Sequence, residues 1–340
     1  ASCYLRNHAR LLGLGLPARW GSAVMKLGAL FSKSASKPLH WSVVAPSPKG
    51  EAGLVWGDTW FAADLAEALR RQGQDATVVH RGGAEAAARD RDDVVLVLRG
   101  LRRVRPRRTA AGGSATTWMM WIISHPELIE PEELAEYDSV FAASQSWGDP
   151  EVVTPLLQAT NPQRFNPQAG VPDTGDDLLF VGSTRGTFRP IIKDAFAVGG
   201  DVAVYGVGWE TFLAPNQIRA DHLPNVELPA AYAAAGVVLN DHWPQMAADG
   251  FLSNRLFDAV ATGARVVSDR ARGLESVFGT SVRTYEGTEE LRSLLMGERD
   301  GVFGDQETRL AAARQVAQLH SFDERAKVLI ERAQVVRAAR

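Results

Sequence analysis

From Trp41 onward, short apolar runs alternate with longer amphipathic stretches, the pattern of parallel strands joined by helical crossovers. The first set of runs predicts strands at 41–45, 76–80, 94–98, 117–123 and 139–143. Between the first two, residues 58–72 read as a helix, with Asp58 as cap, Phe61, Leu65, Ala68 and Leu69 on one side, and Gly73 as the stop. Between Asn161 and Asp177 periodicity gives way to Pro, Asn, Gly and Asp, which marks a hinge at 166–177. A second set of strands follows, beginning at Leu178 and continuing at 202–205, 237–240, 265–268 and 282–285. Ser321-Phe-Asp-Glu324 forms a capping box for a terminal helix bearing Val328, Leu329, Val335 and Val336. The expected fold class is therefore α/β: a first lobe at 40–165, a second at 178–320, a cleft between them, and a terminal helix at 321–340.

Composition narrows the class. A chain of 340 residues is long enough for two separate cores, and 45% apolar and 23% charged residues are ordinary for a globular protein. Without an uninterrupted apolar run long enough for a bilayer, it is not an integral membrane protein. A single cysteine, Cys3, excludes an internal disulfide framework and a cysteine-rich zinc site, and fits a reducing cytoplasm. Stacked indoles suit sugar rings, but Trp41, Trp118 and Trp121 fall in predicted strands and read as core.

The net charge of −3 hides an uneven distribution, because the first acidic residue is Glu51. Residues 1–39 form a basic amphipathic extension, with Arg6, Arg10, Arg19, Lys26, Lys33 and Lys37 among leucines. Through residues 1–38 such a segment can make peripheral contact with an anionic membrane, pack as a helical extension on the first lobe, or act as a transit peptide. The run RGLRRVRPRR, 99–108, carries six arginines and suits an anionic partner or a solvated loop. Sparse aromatics nearby argue against a nucleic-acid partner.

Candidate chemistry concentrates in SNRLFDAVATGARVVSD, 253–269. Ser253 caps a helix whose apolar side is Leu256, Phe257, Val260 and Ala261, with Gly263 as its stop. A helix start presents unpaired N–H groups and the positive end of its dipole, so Ser253, Asn254 and Arg255 would hold a phosphate or diphosphate. One turn on, Asp258 can accept hydrogen bonds from the hydroxyls of a ribose, which implies a nucleotide; the alternative is a capped helix with a surface Arg and a solvated Asp. In LLFVGSTRGTFRP a strand runs into Gly182, Ser183, Thr184, Arg185, Gly186 and Arg189, a second phosphate-like cradle. PSPKGEAGLVWGD lies at the carboxyl end of the first strand, where open α/β sheets bind ligands. Asp58 and His125 stand at such ends in the first lobe, and His242 follows a second-lobe strand toward the same cleft. Asp58 also reads as a helix cap, and His125 as a structural hydrogen-bonder.

On these residues the chain resembles glycosyltransferases with two Rossmann-like lobes (GT-B), of the broad group 1 class and close to the CgeB-like branch. The likeness is carried by FVGSTR (180–185), AVYGVGW (203–209, with Gly206 at the donor site), VVLNDHW (237–243) and the 253–269 segment, and less by WGDTWFAADLAEAL and WIISHPELI. It implies a nucleotide-diphosphate sugar as donor substrate, bound mainly in the second lobe, no cofactor, and an acceptor hydroxyl presented mainly by the first. It also implies retention of anomeric configuration and no metal, and none of the candidate segments carries an Asp-x-Asp pair. Arg185, Arg255 and Arg189 would then stabilise the leaving diphosphate. The class usually carries paired glutamates, E-x7-E; Asp258 stands at the second, while Asp249 is nine residues earlier and does not fit the first. Two other functions fit the same residues: a nucleotide-sugar epimerase or hydrolase, and a non-catalytic nucleotide-sugar-binding or scaffold protein.

Overall fold

Two all-parallel six-stranded sheets organise the computed structural model, which describes residues 37–81, 92–107, 116–168 and 175–340. Most of the expected basic extension, Arg108 of the arginine run and the middle of the hinge lie outside the described residues. The first sheet contains β1 (His40–Val44), β2 (Asp75–Val79), β3 (Val94–Arg99), β4 (Thr117–Ile122), β5 (Ser139–Ala142) and β6 (Val153–Pro155), in the order β2-β1-β3-β4-β5-β6. The second contains β7 (Leu178–Val181), β8 (Val202–Tyr205), β9 (Ile218–Ala220), β10 (Val237–Asn240), β11 (Val266–Ser268) and β12 (Val282–Thr284), in the order β12-β11-β10-β7-β8-β9. Strands β3 and β4 are buried at every position, as sheets covered on both faces require, and this is why they appear in the sequence as unbroken apolar runs. Trp41, Trp118 and Trp121 are core residues, as expected.

Helices α1 (Glu51–Leu54), α2 (Gly57–Arg71) and α3 (Pro131–Leu134) belong to the first lobe. The second carries α4 (Pro190–Ala197), α5 (Leu228–Ala234), α6 (Pro244–Asp249), α7 (Asn254–Ala261), α8 (Leu274–Phe278), α9 (Thr288–Met296), α10 (Arg299–Phe303) and α11 (Gln306–Leu319), and α12 (Phe322–Ala338) ends the chain. Two expected caps differ. Trp56, not Asp58, holds the cap position of α2, which leaves the Asp58 carboxylate for other partners. Ser253 does occupy the cap position of α7, but its side chain makes no capping bond. The stops are as read: Gly73 and Gly263 both adopt the left-handed conformation, at φ 80° and 78°.

The terminal helix departs most from expectation. Of its four expected apolar residues only Leu329 is in the core, and the buried side is Phe322, Ala326, Leu329 and Ala333. That side packs on the first lobe, with the Phe322 and Phe61 rings edge to face at 4.8 Å and Arg71 paired to Asp323 at 2.7 Å. The return crossing runs beside the outgoing one: Thr160 and Ser321 form a parallel bridge, with Thr160 N–H donating to His320 at 2.9 Å and Phe322 N–H to Thr160 at 3.0 Å. A second inter-lobe contact places Met246 and Phe251 among the first-lobe core residues Val97 and Trp118. Ser144 Oγ donates to the Asp249 carbonyl there at 2.6 Å. Among the described residues no helix is long and apolar enough to cross a membrane.

Candidate active site between the lobes

The site starts from the tips of β7 and β8. Gly206 has φ 150°, and a Cβ on it would stand 2.3 Å from the Gly182 carbonyl oxygen, so the two backbones meet where no side chain fits. The indole of Trp209 donates to that carbonyl at 2.8 Å. The turn that follows is held from within, because Thr184 Oγ1 accepts from Gly186 N–H at 3.1 Å. Within the turn Arg185 takes φ 54°, and the other non-glycine residue with positive φ among those described is His125, also at 54°. Each left-handed residue costs about 1–2 kcal/mol, strain that the surrounding structure must hold in place.

Three arginines converge on this turn, and their partners differ. Arg189 is buried and gives both edges of its guanidinium to Asp241, with Nε to Oδ2 at 2.9 Å, while Nη1 donates to the Ser183 carbonyl at 3.1 Å. Arg255 donates to Asn240 Oδ1 at 2.8 Å and to the Val181 carbonyl at 2.5 Å, and lies 5.0 Å over the Phe180 ring. Arg185 is exposed along its length, but its guanidinium stacks 5.3 Å over Trp243. Burial of that group, then the charges of Arg189 and Arg255, push its pKa down to about 10, against the pull of Asp241 and Asp58.

Across the cleft, Asp58 is pushed up to about 6 by burial of its carboxyl, with Arg185 and His125 pulling the other way. Asp58 and His125 of the first lobe thus face Arg185 of the second. His125 is anchored to Glu127 at 2.9 Å.

His242 lies with a fully buried side chain between two fixed partners: its Nδ1 is 2.6 Å from Asp269, and its Nε2 accepts the Ser253 N–H at 3.0 Å. It does not present a free nitrogen to the cleft, and one expected anion-binding amide, Ser253 N–H, is already used. The amides of Asn254 and Arg255 remain at the start of α7, where no earlier turn of the helix can accept them. Burial alone would raise Asp269, but the bonds from His242 outweigh it and hold its carboxyl below the usual range.

Asp258 turns toward the lobe crossing. Asn254 Nδ2 donates to its Oδ2 at 2.8 Å, while Asp258 Oδ1, Asn254 Oδ1 and the Thr160 hydroxyl are buried without a partner among the described residues. Burial pushes the Asp258 carboxyl up to about 8, Thr160, Arg164 and Asn254 oppose this, and Asp64 adds to it. Sequence reasoning found Arg185, Arg189, Arg255, Asp58 and His125, which the structure brings together with Gly182, Ser183, Thr184 and Gly206. It missed Asp269, Ser268 and Thr160, whose roles arise only from through-space contact.

Residues 185–331 match a family model described as glycosyl transferase-like. A search of curated protein sequences finds no match. Among solved structures the chain resembles AviGT4, a glycosyltransferase involved in avilamycin A biosynthesis, with a TM-score of 0.63 and 17% identity, covering 89% of this chain and 99% of that one. Sucrose-phosphate synthase from Thermosynechococcus elongatus gives 0.59 and 12%, over 89% and 100% of the two chains. Anabaena HepE in complex with UDP-glucose gives 0.56 and 12%, over 86% and 99%. At these identities the likeness establishes the fold, which is the GT-B fold, and the matched part of the second lobe is a glycosyl transferase-like domain.

Proposed function

We propose that this GT-B protein with a glycosyl transferase-like second lobe moves a sugar from a nucleotide diphosphate to an acceptor hydroxyl. One observation carries the reading: second-lobe Arg185, Arg189 and Arg255 gather at a glycine-tight strand turn, and Arg185 lies close enough to first-lobe Asp58 for the two charges to act on each other. Glycosyl transfer needs fixed positive charge where the diphosphate leaves, and a second wall to hold sugar and acceptor. Arg185, Arg255 and the first amides of α7 supply the charge, while Asp58 and His125 supply the wall. The buried carboxylate of Asp258 and the unpartnered Asn254 Oδ1 beside it suit the hydroxyls of a ribose, which supports a nucleotide over a simple phosphate.

Arginines in the role that a divalent ion otherwise fills make the reaction metal-independent, and turnover in excess EDTA tests this. Retention rests on the group 1 resemblance; the leaving diphosphate then takes the acceptor proton, and Asp58 binds a sugar hydroxyl. An inverted product anomer would instead make Asp58 the base that takes that proton.

The first experiment is thermal stabilisation by UDP, GDP, dTDP, CDP and ADP. The HepE complex puts UDP first. A ligand at a hundred times its Kd raises stability by about 2.7 kcal/mol. No shift with any of the five would move the reading to a scaffold. Donor consumption without acceptor would identify a hydrolase or epimerase. We place the protein in the cytoplasm, and liposome co-sedimentation with and without residues 1–38 tests peripheral membrane contact.

A further inference from the structure

Arg255 and the start of the helix that carries it are tied to one carboxylate by two separate chains of hydrogen bonds. In the first, Arg255 donates to Asn240 Oδ1 at 2.8 Å, Asn240 Nδ2 donates to Ser268 Oγ at 2.9 Å, and Ser268 Oγ donates to Asp269 Oδ1 at 3.0 Å. In the second, Ser253 N–H donates to His242 Nε2 at 3.0 Å, and His242 donates to Asp269 from Nδ1 at 2.6 Å and from its backbone N–H at 2.9 Å. Since Ser253 and Arg255 stand two residues apart, the chains close into a ring around the ends of β10 and β11. Every donor in the ring meets an acceptor under one assignment only. His242 must carry its proton on Nδ1 and leave Nε2 as an acceptor, because a backbone N–H has nothing else to offer it.

We infer that His242, held by Asp269, is a positioning residue for donor binding: it fixes the first turn of α7, and with it Arg255, at the place where the diphosphate is held. Its Nε2 sets the direction of the Ser253 amide and so aims the next two N–H groups into the site. Asp269 orients the ring as a carboxylate orients any histidine whose second nitrogen has a fixed task. The ring nitrogens are both committed, so His242 neither gives nor takes a proton during transfer. The inference rests on the glycosyl-transfer reading and deepens it.

The test compares the best-binding nucleoside diphosphate of the five with its own nucleoside, which lacks the phosphates. In His242→Phe the affinity for the diphosphate falls tenfold or more, while that for the nucleoside stays within twofold. In His242→Gln the amide spans the same two partners, and diphosphate affinity returns to within threefold of wild type. Equal loss of both ligands in His242→Phe, or no rescue by Gln, overturns the inference. The ring tautomer, read by long-range ¹H–¹⁵N correlation on the unaltered protein, decides the matter even where His242→Phe does not fold. A proton on Nδ1 supports the inference and one on Nε2 overturns it. If the unaltered protein binds none of the five diphosphates, the glycosyl-transfer reading itself fails.

Discussion

Asp258→Asn gives a direct check on the lobe crossing. Burial raises the Asp258 carboxyl from 3.8 to about 8. At about 1.4 kcal/mol for each tenfold change in proton affinity, this sets a ceiling on the order of 6 kcal/mol. The folded state holds a proton that the unfolded chain has released between about pH 4 and pH 8. This stabilisation is fully present below that window, is lost as pH rises through it, and is gone above about pH 8. Water entering between the lobes would relieve part of the cost, so about 2–3 kcal/mol is expected, or roughly 3–4 °C in Tm for a chain of this size. Asparagine keeps the shape and is neutral at every pH. Wild type should therefore lose Tm relative to Asp258→Asn between about pH 4 and pH 8 at constant ionic strength, and run parallel to it above about pH 8. Asp58, also raised by burial, contributes equally to both proteins and cancels in the difference. Tm curves parallel across that window as well would refute the reasoning and place Asp258 in water.

Three further substitutions probe other parts of the argument. Arg255→Ala should lower kcat by about a hundredfold or more by removing charge that the departing diphosphate needs; steady-state kinetics near wild type would take Arg255 out of the site. Gly206→Ala puts a Cβ 2.3 Å from the Gly182 carbonyl at φ 150°. It should cost about 3 kcal/mol and lower Tm by roughly 4 °C, and an unchanged melting curve would reject the close approach. Phe322→Ala should cost about 3–5 kcal/mol in urea unfolding, because its ring fills the first-lobe core against Phe61; a loss below about 1 kcal/mol would show that the terminal helix is not part of that core.

What the sequence made legible was what burial writes into local pattern. Ten of the strands were readable, most of them because residues covered on both faces must be apolar in a run, whereas β6 and β9 are three-residue edge strands, each with two exposed positions, and leave no such trace. The apolar valines of α12 misled because the helix lies close against the first lobe. Ala326 and Ala333 face the core, and Val328 and Val335 face solvent, so small size rather than hydropathy marks the buried side. In the site, single residues with unusual chemistry were visible, as Arg185 and Arg255 were in their glycine-flanked segments. Proximities were not: Asp58 near Arg185, and Thr160 near Asp258, bring together residues about a hundred positions apart, and nothing local encodes them.

The same contacts separate arginines that the sequence presents as equals. Arg189 spends its charge on Asp241, with both groups buried, and adding an anion there would compete with a carboxylate that cannot leave. Arg255 is held in place by an amide oxygen and a carbonyl, acceptors that fix its geometry without cancelling its charge. Arg185 has neither a hydrogen bond nor an ion pair among the described residues, only the face of Trp243; burial first, and then the like charges of Arg189 and Arg255, lower its pKa, and an incoming anion would offset both. On the glycosyl-transfer reading, two uncancelled cations would remain to meet the negative charge of a diphosphate, with Arg189 as the buttress that shapes the turn between them. On that reading the absence of a carboxylate partner is what marks a binding arginine here, and a carboxylate anchor marks a structural one.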